Sequence, residues 1–189
     1  TIPVQNIRSP PVKRHIMAKD TILKEEPKIR FPDEVRLVIF DFDGTLANLH
    51  VDWEPLVTQV WDDFLKPMGI PYSEELIYLV MEQYRDELGS LYDQLAAMFA
   101  SVEVAAEYTV CEEGMELLKS ARTQGLRVAL HSSNSRKVLS RFMKERGLEG
   151  KLVPVVGFED VDRHKPDPEG LKIILDHHGL LMNPEYALF

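Results

Sequence analysis

The run from Arg36 to Leu46, RLVIFDFDGTL, constrains this chain more than any other stretch. Leu37, Val38, Ile39 and Phe40 are four consecutive apolar residues. That suits a strand buried on both faces of a parallel sheet, whereas a half-exposed strand would alternate. Two carboxylates follow at once, Asp41 and Asp43, with Gly44 behind them. Both therefore sit where a strand gives way to a loop, the place where open α/β sheets bind ligands. An aspartate is already ionised at neutral pH and can attack phosphorus without an activating base. Asp41 is thus a candidate nucleophile, and Asp43 a candidate general acid and base. Packed carboxylates also attract a hard cation, and Mg²⁺ held by few protein oxygens plus phosphate is the usual arrangement. The plainer alternative is a βα turn in which Asp43 and Gly44 only make the bend.

Two further stretches carry chemistry. An apolar run, Leu126 to Leu130, predicts a second strand, and His131, Ser132, Ser133, Asn134 and Ser135 follow it. They precede a helix whose Val138, Leu139, Phe142 and Met143 face inward, so hydroxyls and backbone donors would point at an anion. Taken alone, the same cluster is a good set of helix N-caps. Beyond a third strand, Leu152 to Val156, comes DRHKPDPEGL, in which Lys165 precedes Pro166 and Pro168 on a stiff segment opening a helix. A fixed ammonium there would screen the repulsion between a nucleophilic carboxylate and a phosphate dianion.

Asp41-Phe42-Asp43-Gly44-Thr45 resembles the first motif of the haloacid dehalogenase superfamily of phosphatases and phosphotransferases, an apolar strand followed by DxDGT. The resemblance extends to the other two stretches. The family's second motif is a Ser or Thr ending the next strand, which Ser132 matches by position, with Ser133 one register away and His131 bulkier than usual. The third is a Lys commonly followed by Pro, Asp and Pro, and KPDP matches it. The branch most resembled is that of the phosphoglycolate phosphatases. What it implies is a catalytic set of Asp41, Asp43, Ser132 and Lys165. Gly44, Thr45, Ser133 and Asn134 would lie around the phosphate, and Mg²⁺ on the Asp41 carboxylate and the Asp43 carbonyl.

Between the first strand and Tyr108 the pattern is helical. Trp53 to Met68 carries an apolar stripe ended by Gly69. Ser73 reads as the N-cap of a helix to about Leu88, and shorter helices follow over Leu91–Phe99 and Val102–Tyr108. In the resembled superfamily an insert here is a cap that selects substrates. Asp52, Trp53, Tyr84 and Arg85 lie in it, and the Arg85 fork suits a substrate carboxylate.

Residues 1–34 differ from the rest: they hold five of the twelve prolines and, with seven Lys or Arg against five Asp or Glu, carry +2, leaving −11 on the remainder. They read as a proline-rich extension with at most a short helix over Ile16–Glu26. Lys13, Arg14, His15 and Lys19 form a candidate patch for an acidic partner. The net charge of −9 gives no general attraction to nucleic acid or anionic membrane surfaces. No run of 18 apolar residues exists. One cysteine, Cys111, cannot form an internal disulfide and reads as structural. The expectation is a cytoplasmic protein.

The fold expected is α/β, a doubly wound parallel sheet with a helical cap inserted after the first strand. Its core would span 35–48 and 109–189, the cap 49–108. The function implied is Mg²⁺-dependent hydrolysis of a small phosphorylated metabolite. The alternatives are a phosphomutase of the same superfamily and a catalytically silent scaffold. Asp160 and Asp162 read as parts of an acidic loop, and His177 and His178 as helix-end residues. Tyr186 to Phe189 read as the start of a further strand. In the resembled family an acidic motif follows that strand and completes the metal site, so the natural chain is expected to continue past Phe189.

Overall fold

A computed structural model describes residues 29–73 and 75–189. The short helix expected over Ile16–Glu26 and the basic patch at Lys13 to Lys19 lie outside the described residues. Four parallel strands form the central sheet in the order β5-β4-β1-β6, with β1 at Leu37–Phe40, β4 at Arg127–His131, β5 at Val155–Val156 and β6 at Ala187–Leu188. The register pairs Leu37 with Arg127 and with Ala187. The chain moves outward from β1 through β4 to β5, then crosses back to the other side of β1. The carboxyl end of β1 is therefore where the connections diverge, the crevice in which such sheets hold ligands.

The unbroken apolar run of β1 is explained by its two faces. Val38 and Phe40, with Val128 and Leu130, pack against α5 (Glu112–Thr123) and α6 (Arg136–Glu145) through Leu118, Ala121, Leu139 and Phe142. Leu37, Ile39 and Ala129 face the opposite way, against Ile174 of α7 (Glu169–His177). A strand covered on both sides cannot alternate. Gly125 ends α5 as expected, at φ 78°, in a left-handed turn that glycine enters without a Cβ clash.

The helical block has a separate core of Val60, Trp61, Leu65, Ile77, Val80, Met81, Leu88, Tyr92 and Leu95. Its first helix, α1, runs over Glu54–Val60, widens through a π-turn at Trp61–Leu65, tightens in a 3₁₀ turn at Lys66–Met68, and stops at Gly69. Several details differ from the sequence reading. Ser73 is not an N-cap: α2 begins at Ile77 behind extended Leu76, and the Ser73 hydroxyl accepts the Glu75 N–H at 3.1 Å. A serine that satisfies its own neighbour competes with helix formation. The single helix expected to about Leu88 is two, α2 (Ile77–Gln83) and α3 (Arg85–Leu88), and the two short helices expected after it are one, α4 over Ser90–Ala105, which ends before Tyr108. Ser101 lies inside it, its hydroxyl donating to the Met98 carbonyl at 2.7 Å. The third sheet strand is shorter than Leu152–Val156 because Pro154 has no N–H to give the ladder.

The block joins the sheet through a two-stranded antiparallel pair, β2 (Ala47–Leu49) with β3 (Tyr108–Val110). Each strand has three residues, too few for a periodicity to register, although Tyr-Thr-Val is β-favouring composition.

Candidate active site

Asp41 leaves the carboxyl end of β1 and Lys165 reaches it from the segment before α7. The Lys165 Nζ lies 2.9 Å from Asp41 Oδ2 and donates to the His131 carbonyl at 3.0 Å. Two residues far apart in the chain are thus an ion pair, and β4 supplies the third point that aims the ammonium. The other Asp41 oxygen accepts the Phe42 N–H at 2.7 Å. Asp43 is exposed, its Oδ1 accepting the Leu49 N–H at 3.0 Å. The turn behind it is closed by Gly44 N–H to the Ala47 carbonyl at 2.8 Å, with Gly44 at φ 78°. Gly44 and Thr45 build this turn and are not among the residues lining the cleft. The Thr45 carbonyl instead presses on α5 at Gly114, where a Cβ would stand 1.8 Å from it. Only glycine admits that approach.

Above Asp41 and Lys165 a cleft of about 1130 Å³ opens between the sheet and the helical block. Trp53, Ile77, Met81 and Ala96 line it from the block, and Ser132, Ser133, Asn134 and Lys165 from the sheet side. Of the cap residues named in the sequence reading, Trp53 and Arg85 reach it; Asp52 and Tyr84 do not. Arg85 is committed elsewhere. Its guanidinium donates to the Tyr92 hydroxyl at 2.8 Å and lies 3.5 Å from the exposed Asp162 carboxylate, so both terminal nitrogens are engaged while the buried Nε has no partner. Asp160 is likewise engaged, by Arg136 and by the Gly157 N–H. Cys111 is the residue before α5 and lies off the cleft.

The two serines separate clearly. Ser132 is buried, its hydroxyl donating to Asn134 Oδ1 at 2.8 Å and accepting the Asn134 N–H at 3.1 Å. Ser133 is half-buried and lines the cleft opposite Tyr78, whose phenol is pushed up by burial, with the Ser133 hydroxyl opposing and the Asp41 charge adding. Asn134 Nδ2 in turn donates to Glu103 Oε1 at 3.1 Å, and Ser135 N–H to Glu103 Oε2 at 2.7 Å. The N-terminus of α6 has no side-chain cap of its own. Glu103 and Glu159 serve instead, the second accepting the Arg136 N–H at 2.7 Å.

Sequence reasoning missed Glu103, Tyr92 and His164. His164 is buried, stacks on Phe158 at 4.0 Å, and bridges to the helical block through Tyr92 at 3.2 Å and the Glu82 carboxylate at 2.9 Å. Only its place next to Lys165 could have singled it out; the partners are far away in the chain.

His131 is explained by packing. Its ring is buried against Gly170 of α7, where a Cβ would lie 2.2 Å from Nε2. Burial first, and then the Lys165 charge, lowers its pKa from 6.5 to about 4, against the pull of Asp41. An unfolded chain takes up a proton near pH 6.5 that the folded one refuses until about 4. The stability tied to a neutral His131 is therefore complete above pH 6.5 and is lost as pH falls toward 4, by about 2 kcal/mol after allowance for screening. Chemical denaturation of the wild type and His131→Leu at about pH 7.5 and 4.5 should show the wild type losing more by that amount. A constant difference would remove His131 from the pH response.

Among the described residues no three His, Cys, Asp or Glu side chains are grouped for a metal ion. No helix among them is long and apolar enough to cross a membrane.

A sequence profile of the haloacid dehalogenase-like hydrolases matches residues 38–187. The chain is 23% identical over 154 residues to a protein of Caldanaerobacter subterraneus named as pyrophosphatase PpaX, covering 72% of this chain and 64% of that one. It is 26% identical over 148 residues to validoxylamine A 7'-phosphate phosphatase of Streptomyces hygroscopicus, covering 71% and 67%. It thus spans about two thirds of the length of these relatives. A crystal structure of a haloacid dehalogenase-like hydrolase from Bacteroides fragilis superposes with a TM-score of 0.53 at 24% identity, over 81% of this chain and 76% of that one, which establishes the shared fold.

Proposed function

We propose, from the premise that this chain belongs to the haloacid dehalogenase-like hydrolases, that it hydrolyses a small phosphate monoester with Asp41 as the nucleophile. The observation that carries the reading is the ion pair between Asp41 and Lys165, at 2.9 Å, at the floor of a cleft able to hold a metabolite. Residues 35–48 and 109–189 are the catalytic core in this reading, and 49–108 the cap.

Asp41 attacks phosphorus in line with the ester oxygen. The P–O bond to the alcohol breaks as the bond from an Asp41 carboxylate oxygen forms, and Asp43, once turned from Leu49, gives its proton to the leaving oxygen. Asp43 then takes a proton from water, which attacks phosphorus and releases orthophosphate and the original carboxylate. Lys165 offsets the charge on the phosphoryl oxygens. Ser133 is the better candidate for a hydroxyl donor to them, because the Ser132 proton is already given to Asn134.

Asp41 and Asp43 offer the hard oxygens that Mg²⁺ takes, one or two carboxylate-bearing residues beside a phosphate and water. We propose Mg²⁺ bound by the Asp41 carboxylate and the Asp43 carbonyl; when bound it supplies positive charge to the phosphoryl oxygens.

The alcohol half of the ester meets Trp53, Ile77, Met81 and Ala96. Among the described residues lining the cleft, Arg85 is the only cation from the helical block, and it is held by Tyr92 and Asp162. A second anionic group on the substrate would have to displace Asp162 from Arg85 or reach Lys137 on the sheet side of the cleft. Esters of neutral alcohols should therefore outrank pyrophosphate and carboxylate-bearing esters. Orthophosphate release over such a panel, with and without Mg²⁺, tests the reading. Release of isomerised ester in place of orthophosphate would mark a mutase, and no turnover of any ester would end the proposal. In the same assay Ser133→Ala should slow turnover about tenfold or more, with Ser132→Ala acting mainly on stability. The reverse ranking would return the role to Ser132.

A further inference from the structure

We infer that Glu103 is a positioning residue, a carboxylate delivered by α4 that sets the shape of the Ser132–Ser135 loop facing the phosphoryl group. Its catalytic consequence rests on the hydrolase reading above; its structural part does not.

Glu103 is 7% exposed, near the C-terminal end of α4. Both of its oxygens cross to the sheet domain, Oε1 to the Asn134 amide and Oε2 to the Ser135 backbone N–H, over separations of 31 and 32 residues. An ionised carboxylate only accepts, so Asn134 must present its NH₂ to Glu103 and its oxygen to Ser132. That orientation takes the Ser132 proton and fixes the Ser132 hydroxyl as acceptor for the Asn134 N–H. One buried charge thereby decides the direction of the Asn134 amide and the Ser132 hydroxyl, and Ser133 and Ser135 are the cleft-lining hydroxyls whose protons are not given to Asn134.

The same helix end is held a second time. Arg141 of α6 donates to the Val104 and Ala106 carbonyls, the Ala106 bond at 2.8 Å. These are the carbonyls a helix leaves unpaired at its C-terminus. Glu103 and Arg141 thus join the last turn of α4 to both ends of the loop-and-helix unit that carries Ser133. The charged group acting on Glu103 is Glu159, bonded to the Arg136 N–H, and Lys137 lines the same cleft. Burial raises the Glu103 carboxyl above its ordinary range, with the bonds from Ser135 and Asn134 opposing and Glu159 adding. The donors from Ser135 and Asn134 thus offset part, and not all, of the cost of burying the charge.

Glu103→Gln is the informative change. It keeps the volume and, having one oxygen and one NH₂, cannot accept from both the Asn134 amide and the Ser135 N–H: either the Ser135 bond is lost or the Asn134 amide turns over and releases the Ser132 proton. A residue that merely filled space would tolerate it. In ¹⁵N-resolved spectra of the full chain, the wild-type Ser135 amide should shift with pH in a single step above the ordinary glutamate range. Glu103→Gln should abolish the step and speed exchange of that amide at least about tenfold. Shifts of Ser133 and Asn134 on addition of orthophosphate should shrink. With an ester that the wild type turns over, kcat should fall about 10- to 100-fold with a smaller change in KM. If Glu103→Ala proves too unstable to study, the isosteric Gln variant still decides. If no ester is hydrolysed by the wild type, the hydrolase proposal fails, and the amide and orthophosphate measurements alone judge Glu103. Wild-type Ser135 exchange together with unchanged Asn134 side-chain amide signals in Glu103→Gln would overturn the inference, and so would lost protection with kcat or the orthophosphate response intact.

Discussion

Asp41→Asn should reduce orthophosphate release by at least about 10⁴-fold while leaving the protein folded. The amide keeps the outline of the side chain and can still accept the Phe42 N–H through its oxygen. It loses the charge and nucleophilicity that attack phosphorus. The fold has little at stake in the pair itself: Asp41 is 37% exposed on its side chain, and an ion pair open to water to that degree contributes no more than about 1 kcal/mol. A thermal melt close to that of the wild type, together with absent turnover and orthophosphate binding still detectable, is the expected combination. Turnover near the wild-type rate would mean that a different group attacks, and Asp43 would then be the first to be tested as nucleophile.

Lys165→Met should lower kcat/KM by roughly 10²- to 10³-fold, the range for removing one preorganised donor from developing charge. Methionine keeps most of the aliphatic stem and its packing near Phe189, whose ring centre lies 5.3 Å from the Lys165 nitrogen. The variant therefore isolates the ammonium. Two attachments are lost, to Asp41 and to the His131 carbonyl, so the nucleophile also loses the group that fixes its rotamer. Orthophosphate should bind more weakly as well, since the dianion then meets Asp41 unscreened. Combining Lys165→Met with Asp41→Asn should cost little beyond Asp41→Asn alone, because both residues act in one step and such effects do not add. An unchanged kcat/KM in Lys165→Met would reduce this ion pair to a structural contact.

The elements built on long, regular patterns are legible in the chain itself. β1, β4, α5, α6 and α7 fall where the apolar spacing puts them, since a face that must be buried repeats at the period of its own helix or strand. The block between β1 and β3 is legible as helical but not in its joints. Ser73 has the residue type of a cap, yet it bonds Glu75, a local choice that leaves no periodic trace. The pair β2 and β3 escapes sequence reasoning for a related reason, three residues being too short to establish a pattern.

By itself the sequence determined the doubly wound sheet, the order of the three motifs and the candidacy of Asp41, Asp43 and Lys165, because each is written in contiguous residues next to a strand end or a helix start. Tertiary structure alone decided that the Ser132 proton is given to Asn134, that Arg85 is engaged by Asp162 and Tyr92, and that the α6 N-terminus is satisfied by Glu103 and Glu159. Most of those outcomes depend on hydrogen bonds between residues tens of positions apart. Such a bond has no period and no fixed spacing in the chain, and it exists only once burial of the apolar cores has brought its ends together.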